Sequence, residues 1–233
     1  MRIVSIHQPH FLPWLNYFNK VAKADVFIWL DDVQYRRRYF QNRAKIKTQN
    51  ADIWLTVPIK KADYLAEIKA IEIQKTALPK LLITIESLYK KAPFFTNFFD
   101  DIKNIFLKKH TFLSDLNYDL FLYINDVLNI KTKIVKSSDI DLGVVGNPNE
   151  RLLKLCQHFE ATQYIAGKGG KNYMDLALFK QNNIEILWQE FPNQKIVYPQ
   201  INGQFIQGLS IVDILFNIGA SQTKKLIETP WLS

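Results

Sequence analysis

The opening 30 residues constrain the fold more than anything that follows. Arg2–Ile6 is a short β-rich run, and Trp14–Ala24 carries Trp14, Phe18, Val21 and Ala22 at helical spacing. Asp25–Leu30 (DVFIWL) is almost continuously apolar, the pattern of a strand covered on both faces. Strand, helix and buried strand in succession make a βαβ unit, whose strands must run parallel because a helix separates them. Later segments extend the alternation, with strands predicted at Ile53–Val57, Ile68–Ile73, Lys133–Lys136, Gln163–Ala166 and Ile184–Trp188. The expected class is α/β, a mostly parallel sheet with flanking helices.

Between about residues 78 and 130 the pattern turns wholly helical. Leu78, Leu81, Leu82, Ile85, Leu88 and Tyr89 keep i, i+3, i+4 spacing. The stripes Phe94–Phe106 and Leu116–Val127 repeat it, and Pro93 separates the first two helices. This stretch reads as a helical insertion packed beside the sheet of one domain spanning 1–233. Asn147-Pro148-Asn149-Glu150 is a helix start, with Asn147 as cap, Pro148 at the first helical position and Glu150 able to reach back. Ser210 and Asp213 suggest a second capping box, stapled by Leu209 and Ile214, with Gly219 stopping that helix. A helix through Asp175–Gln181 completes the set.

A chain of 233 residues buries roughly 70% of its unfolded surface and needs no disulfide or metal staple. Cys156 is the only cysteine, which excludes an internal disulfide and a thiolate zinc cluster; helical neighbours mark it as a small buried apolar group. The segment MRIVSIHQPHFLPW lacks the pattern of a signal peptide, and no run approaches the ~18 apolar residues of a spanning helix. A soluble, cytoplasmic protein is expected. The net charge of +8 is concentrated in Arg36, Arg37, Arg38, Arg43, Lys45 and Lys47, a patch suited to phosphate. No nucleic-acid-binding signature accompanies it, so nucleic acid is not an expected partner.

Four segments could carry chemistry. His7-Gln8-Pro9-His10-Phe11-Leu12-Pro13-Trp14 lies where the first strand hands over to the first helix, the place where open α/β sheets gather ligands. Its prolines hold His7, Gln8 and His10 in fixed directions, so His7 or His10 can contact phosphate or act as general acid or base. Asp31-Asp32-Val33-Gln34 follows the second strand, where a carboxylate can orient a hydroxyl, hold Mg²⁺ through water or serve as base. The run Arg36–Arg38 with Asn42, Arg43 and Lys47 offers planar forks for phosphate, with one or two of the three consecutive arginines expected to reach a ligand. Gly167-Lys168-Gly169-Gly170-Lys171 lets backbone approach a ligand closely, with Lys168 or Lys171 supplying charge. Each has a bland counterpart: a rigid turn, a solvated Asp pair, a solvated basic face, a tight glycine turn. No metal is assigned, because His7 and His10 lack distant partners.

The ordered set IHQPHFLPWLNYF, DVFIWLDDVQY, QNRAKIKT, LTVP, YKKAPFF, YIAGKGGKNY, YPQ and GLSIVDILFNIG resembles the WbqC-like family across nearly the whole chain. Asn16 stands where glycine is expected and His10 where asparagine is, which favours His7 over His10. The resemblance implies cytoplasmic work on a nucleotide-activated sugar in O-antigen or related surface-polysaccharide biosynthesis, adding an acyl or aminoacyl group to an amino sugar. His7 or Asp32 would be the base and Arg38 and Arg43 phosphate ligands. Gln8, His10, Trp14, Asp31, Gln34, Asn42, Lys47, Gly167, Lys168 and Lys171 would complete the substrate site. No prosthetic group is expected beyond the nucleotide-linked ligand; the donor is undefined. Two alternatives stand beside it: adenylyl transfer by the His-x-x-His loop, and a non-catalytic partner protein that binds nucleotide sugar.

Overall fold

The computed structural model describes residues 1–231. Five parallel strands form the central sheet: β1 (Ile3–His7), β2 (Val26–Trp29), β5 (Lys133–Lys136), β6 (Gln163–Ala166) and β7 (Glu185–Trp188), in the order β5-β2-β1-β6-β7. β3 (Arg43–Lys47) and β4 (Asp52–Thr56) pair separately as an antiparallel hairpin. The chain leaves β1 outward through β2 to β5, then returns to lay β6 on the other flank of β1. The α/β class expected from the sequence is thus the observed one.

The helices are α1 (Leu15–Ala22), α2 (Leu78–Tyr89), α3 (Phe95–Leu107), α4 (Leu113–Val127), α5 (Pro148–His158), α6 (Leu176–Gln181) and α7 (Ile211–Ile227). All four residues of β2 are buried and alternate between two cores, as strand geometry requires. Phe27 and Trp29 join the larger core, to which α1, α2, α3, α4 and α7 contribute. Val26 and Ile28 join the smaller one with Leu152 and Leu155 of α5 and Phe179 of α6. Burying each large apolar side chain contributes about 1.5–3 kcal/mol, and a strand apolar on both faces gains from both layers. No helix among the described residues is long and apolar enough to cross a membrane.

Two local expectations need correction. Ile68–Ile73 is no sheet strand: Ile68–Ala70 is a 3-10 turn, and only isolated bridges join Ile73 to Ile59 and Glu72 to Phe112. Ile68, Ile71 and Ile73 are apolar because they are buried, while the segment's amides bond to loop carbonyls such as Val33 and Asp31. The Ser210/Asp213 capping box does not form. Ser210 Oγ accepts from the Val212 amide, but the Asp213 carboxylate is buried between the Tyr89 and Tyr198 hydroxyls at 2.8 and 2.7 Å. Gly219 stops the first helical segment of α7 as expected, at φ 73°, and a second segment starts beyond the kink; a Cβ there would lie 2.9 Å from the Phe94 ring. At α5 the expected start is present in altered form. Asn147 accepts from the Glu150 amide at 3.0 Å, and Glu150 accepts from the Gly146 amide, not from that of the cap residue.

Candidate functional site

The carboxyl ends of β1 and β2 share one rim, because His7 pairs in register with Trp29. A cavity of about 680 Å³ opens there, within the range of small-molecule sites. The loop after β2 forms one wall with Gln34, Tyr35, Arg36 and Arg37, and the first turns of α5 form another with Pro148, Arg151 and Leu152. Gln8 lies at the rim, and Asp63, Tyr64 and Tyr173 complete the lining. The loop is braced by the chain at 62–69: Tyr35 N–H bonds to the Ala66 carbonyl at 2.8 Å, Gln34 Nε2 to that of Tyr64 at 2.8 Å, and Arg37 Nη2 to that of Ala62 at 3.0 Å.

The aspartate pair fastens this wall. Asp31 is 2% exposed; its carboxylate accepts from the Ser138 amide and hydroxyl at 3.1 and 3.0 Å, tying the end of β2 to the end of β5. Burial raises its pKa, against the lowering effect of those bonds. Asp32 accepts from Ser137 Oγ and from Arg151 Nη1, the latter at 2.7 Å. That ion pair anchors the Arg151 guanidinium beside the cavity. Gln8 is held in the same way by Gln41, whose Nε2 donates to Gln8 Oε1 at 2.8 Å.

His7 leaves β1 toward the opposite face. Alternation puts Val4 and Ile6 against α5 and α6 and turns Ile3, Ser5 and His7 toward α1. The His7 ring meets His10 at 4.6 Å and Tyr17 at 4.7 Å between centroids. Its Nδ1 lies 3.0 Å from the Gln8 carbonyl. A carbonyl only accepts, so Nδ1 carries the proton of the neutral ring and Nε2 the lone pair. His10 is 2% exposed, and neither ring nitrogen has a hydrogen-bond partner; Trp14, Tyr17, Tyr39 and Phe40 surround it. Burial, then the nearby Lys20 ammonium, lowers His10 to about 3. The same two causes, in the same order, hold His7 well below the ordinary histidine value.

The other residues singled out in the sequence are dispersed. Trp14 packs on His10 and Phe40. Arg38, with φ 55°, offers its carbonyl to Arg43, and the Arg43 guanidinium stacks 4.1 Å over Trp54. Asn42 Nδ2 donates to the Val57 carbonyl at 3.0 Å. Lys47 is buried, its Nζ donating to Gln200 Oε1 at 3.0 Å and the Gln204 carbonyl at 2.6 Å. Gly167 precedes a 3-10 turn, Lys168–Asn172, where Lys168 and Lys171 pair with Glu190 at 3.0 and 3.3 Å. That segment reaches the cavity through Tyr173, not through its lysines. Among the described residues no group of three or more His, Cys, Asp or Glu side chains could hold a metal ion.

Sequence reasoning missed Arg151, Asp63 and Tyr64. Arg151 was within reach of it: the capped helix start at Asn147 places residue 151 in the first turn of a helix that follows β5, hence near the rim. Asp63 and Tyr64 carry no such signal.

Strand order and the switch between β1 and β6 define a doubly wound α/β protein, with a cation-lined cavity at the carboxyl rim of its sheet. The chain belongs to the WbqC-like protein family, whose model matches residues 8–225. It is 35% identical over 223 residues to the uncharacterized protein Rv1507c of Mycobacterium tuberculosis (strain ATCC 25618 / H37Rv), covering 94% of this chain and 95% of that one. No solved structure matches.

Proposed function

We propose that the protein is a transferase that adds an acyl or aminoacyl group to a nucleotide-activated amino sugar, in the biosynthesis of O-antigen or a related surface polysaccharide. The family is associated in general with O-antigen and sugar biosynthesis. The observation that carries the reading is the convergence of Arg36, Arg37 and Arg151 on one cavity of about 680 Å³. Three guanidinium groups suit a diphosphate, each able to give paired N–H bonds to phosphate oxygens. Tyr64 and Tyr173 offer rings for a base, and Asp63 an acceptor for sugar hydroxyls.

In this reading the diphosphate lies against the arginines and the sugar runs over Gln8 toward His7. The neutral His7 Nε2 takes a proton from the sugar amine as its nitrogen bonds to the donor's acyl carbon. The electron pair of the broken acyl bond leaves with the donor's leaving group. Positioning and charge supply most of the rate. Asp32 acts by orienting Arg151. Cytoplasmic location and the absence of a nucleic-acid partner belong to the same proposal.

The test is to incubate the purified protein with a panel of nucleotide amino sugars, with acyl-CoA or with ATP plus amino acids, and to weigh the sugar by mass spectrometry. A mass gain equal to the transferred group is expected. Saturable binding with no covalent change across the panel would sink the transferase reading and leave a nucleotide-sugar-binding partner. The 4.6 Å approach of the His7 and His10 rings favours a second reading, adenylyl transfer, whose signature is pyrophosphate release from ATP.

A further inference from the structure

Lys20 lies on α1, faces the sheet and is 2% exposed. Its Nζ donates to the Ile6 carbonyl at 3.1 Å, and no carboxylate pairs with it among the described residues. A buried ammonium without a counter-ion is costly, several kcal/mol by general estimates, and an apolar residue would fill the same space without that cost. The Ile6 carbonyl sets Nζ beside the strand residue that precedes His7, and the ammonium's charge acts on both histidines of the loop. The titratable groups facing His7 are Tyr17 and Lys20 from α1 and His10 from the loop. β2 sets Trp29 opposite it in the register, and the Gln8 carbonyl lies on Nδ1. No carboxylate is among them in the described residues; only the Gln8 carbonyl favours an imidazolium, while burial, then Lys20 and His10, oppose one.

We propose that Lys20 is a positioning residue for His7: its buried ammonium, without a carboxylate partner among the described residues, adds to burial in keeping the imidazole neutral, with the lone pair left on Nε2. The inference rests on the proposed role of His7 for its functional meaning, but the coupling itself needs no substrate. Burial pushes Lys20 down to about 7. As pH falls, Lys20 therefore takes a proton before His7 does, and the charge so formed opposes the second protonation; the two sites titrate as one coupled system. A base guarded in this way stays ready at pH values where an exposed histidine is half protonated.

The experiment is an NMR titration of the His7 ring in the full chain, without ligand, for the native protein, Lys20→Met and Lys20→Gln. In the native protein His7 should resist protonation well below pH 6.5. Both variants should move its midpoint upward, and in any turnover assay the acidic limb of the pH profile should move upward with it. A merely structural role for Lys20 would leave the His7 midpoint where it is in a variant that folds. An unchanged midpoint in either folded variant would overturn the proposal, because burial alone would then account for the neutral ring. If the midpoint moves but no sugar is ever modified, the coupling stands and the transferase reading fails, so the two failures are distinguishable. Having two variants of different polarity guards against one of them not folding.

Discussion

On the α5 side of the sheet rim the cations stand at or near the surface: Arg36 and Arg37 are exposed, and Arg151 is held by Asp32 at 2.7 Å. On the α1 side, His10 and Lys20 are each 2% exposed and neither has a carboxylate partner among the described residues. The same rim thus keeps permanent charge where solvent and an anion can reach it, and on its other side burial disfavours the charged forms of His7, His10 and Lys20. Exposed arginines can take up a phosphate with little change in their own solvation. Buried bases are kept in the form that accepts a proton. In the proposed reading, binding falls to the first side and proton transfer to the second.

The largest effect should come from the proton-transfer side. His7→Ala is expected to lower turnover by roughly 10²–10⁴-fold, the usual worth of a general base, with nucleoside diphosphate affinity within about twofold of native by calorimetry. His7 is only partly buried, so the thermal melt should stay within about 1 kcal/mol. Loss of binding instead of turnover would erase the division between the two sides. On the binding side, Arg36→Ala and Arg37→Ala should each weaken nucleoside diphosphate binding by roughly 10- to 100-fold, the equivalent of about 1.5–3 kcal/mol for a hydrogen bond to a charged group. Titration calorimetry at fixed salt reads this directly.

Lys20→Met tests the price of a neutral pocket. The folded value of about 7 lies below the ordinary 10.5, so between those limits the unfolded chain binds more protons and native stability rises with pH. Below about pH 7 the native protein carries the full penalty. Lys20→Met should therefore stabilise by a few kcal/mol at pH 6, on the order expected when an unpaired buried charge is replaced by an apolar group. The gain should shrink as pH approaches 10.5. Denaturant melts at pH 6 and pH 9 give the sign, and an equal gain at both would contradict a charged native Lys20.

Much of the fold was legible because periodicity and burial agree over long segments. DVFIWL reads as a strand covered on both faces and is one, and the three helices between residues 78 and 130 follow their apolar stripes. Ile68–Ile73 misled because buried β-branched residues look alike in a strand and in a braced turn. Asp213 misled because its partners Tyr89 and Tyr198 lie 124 and 15 residues away. The candidate site was legible as a rim and less so as a set of side chains. Nothing local distinguishes Arg36 and Arg37, which line the cavity, from Arg38, which does not. Adjacent residues diverge, and which of them face a ligand depends on the brace at 62–69.

Arg43→Ala should have the smallest effect and is the sharpest check on where the binding side ends. Its guanidinium stacks 4.1 Å over Trp54 on the hairpin and donates to the Arg38 carbonyl, and the cavity lining does not include it. Its removal should cost about 0.5–1 kcal/mol of stability, the worth of an exposed cation–π contact. Nucleoside diphosphate affinity should change by less than about threefold, mostly through the loss of one long-range positive charge. Calorimetry beside Arg36→Ala in one buffer makes the comparison. If Arg43→Ala weakened binding as much as Arg36→Ala, phosphate would have to reach across Phe40 to the hairpin. The histidine pocket beneath that aromatic ring would then belong to the binding surface, and the separation of charge from neutral base across the rim would not hold.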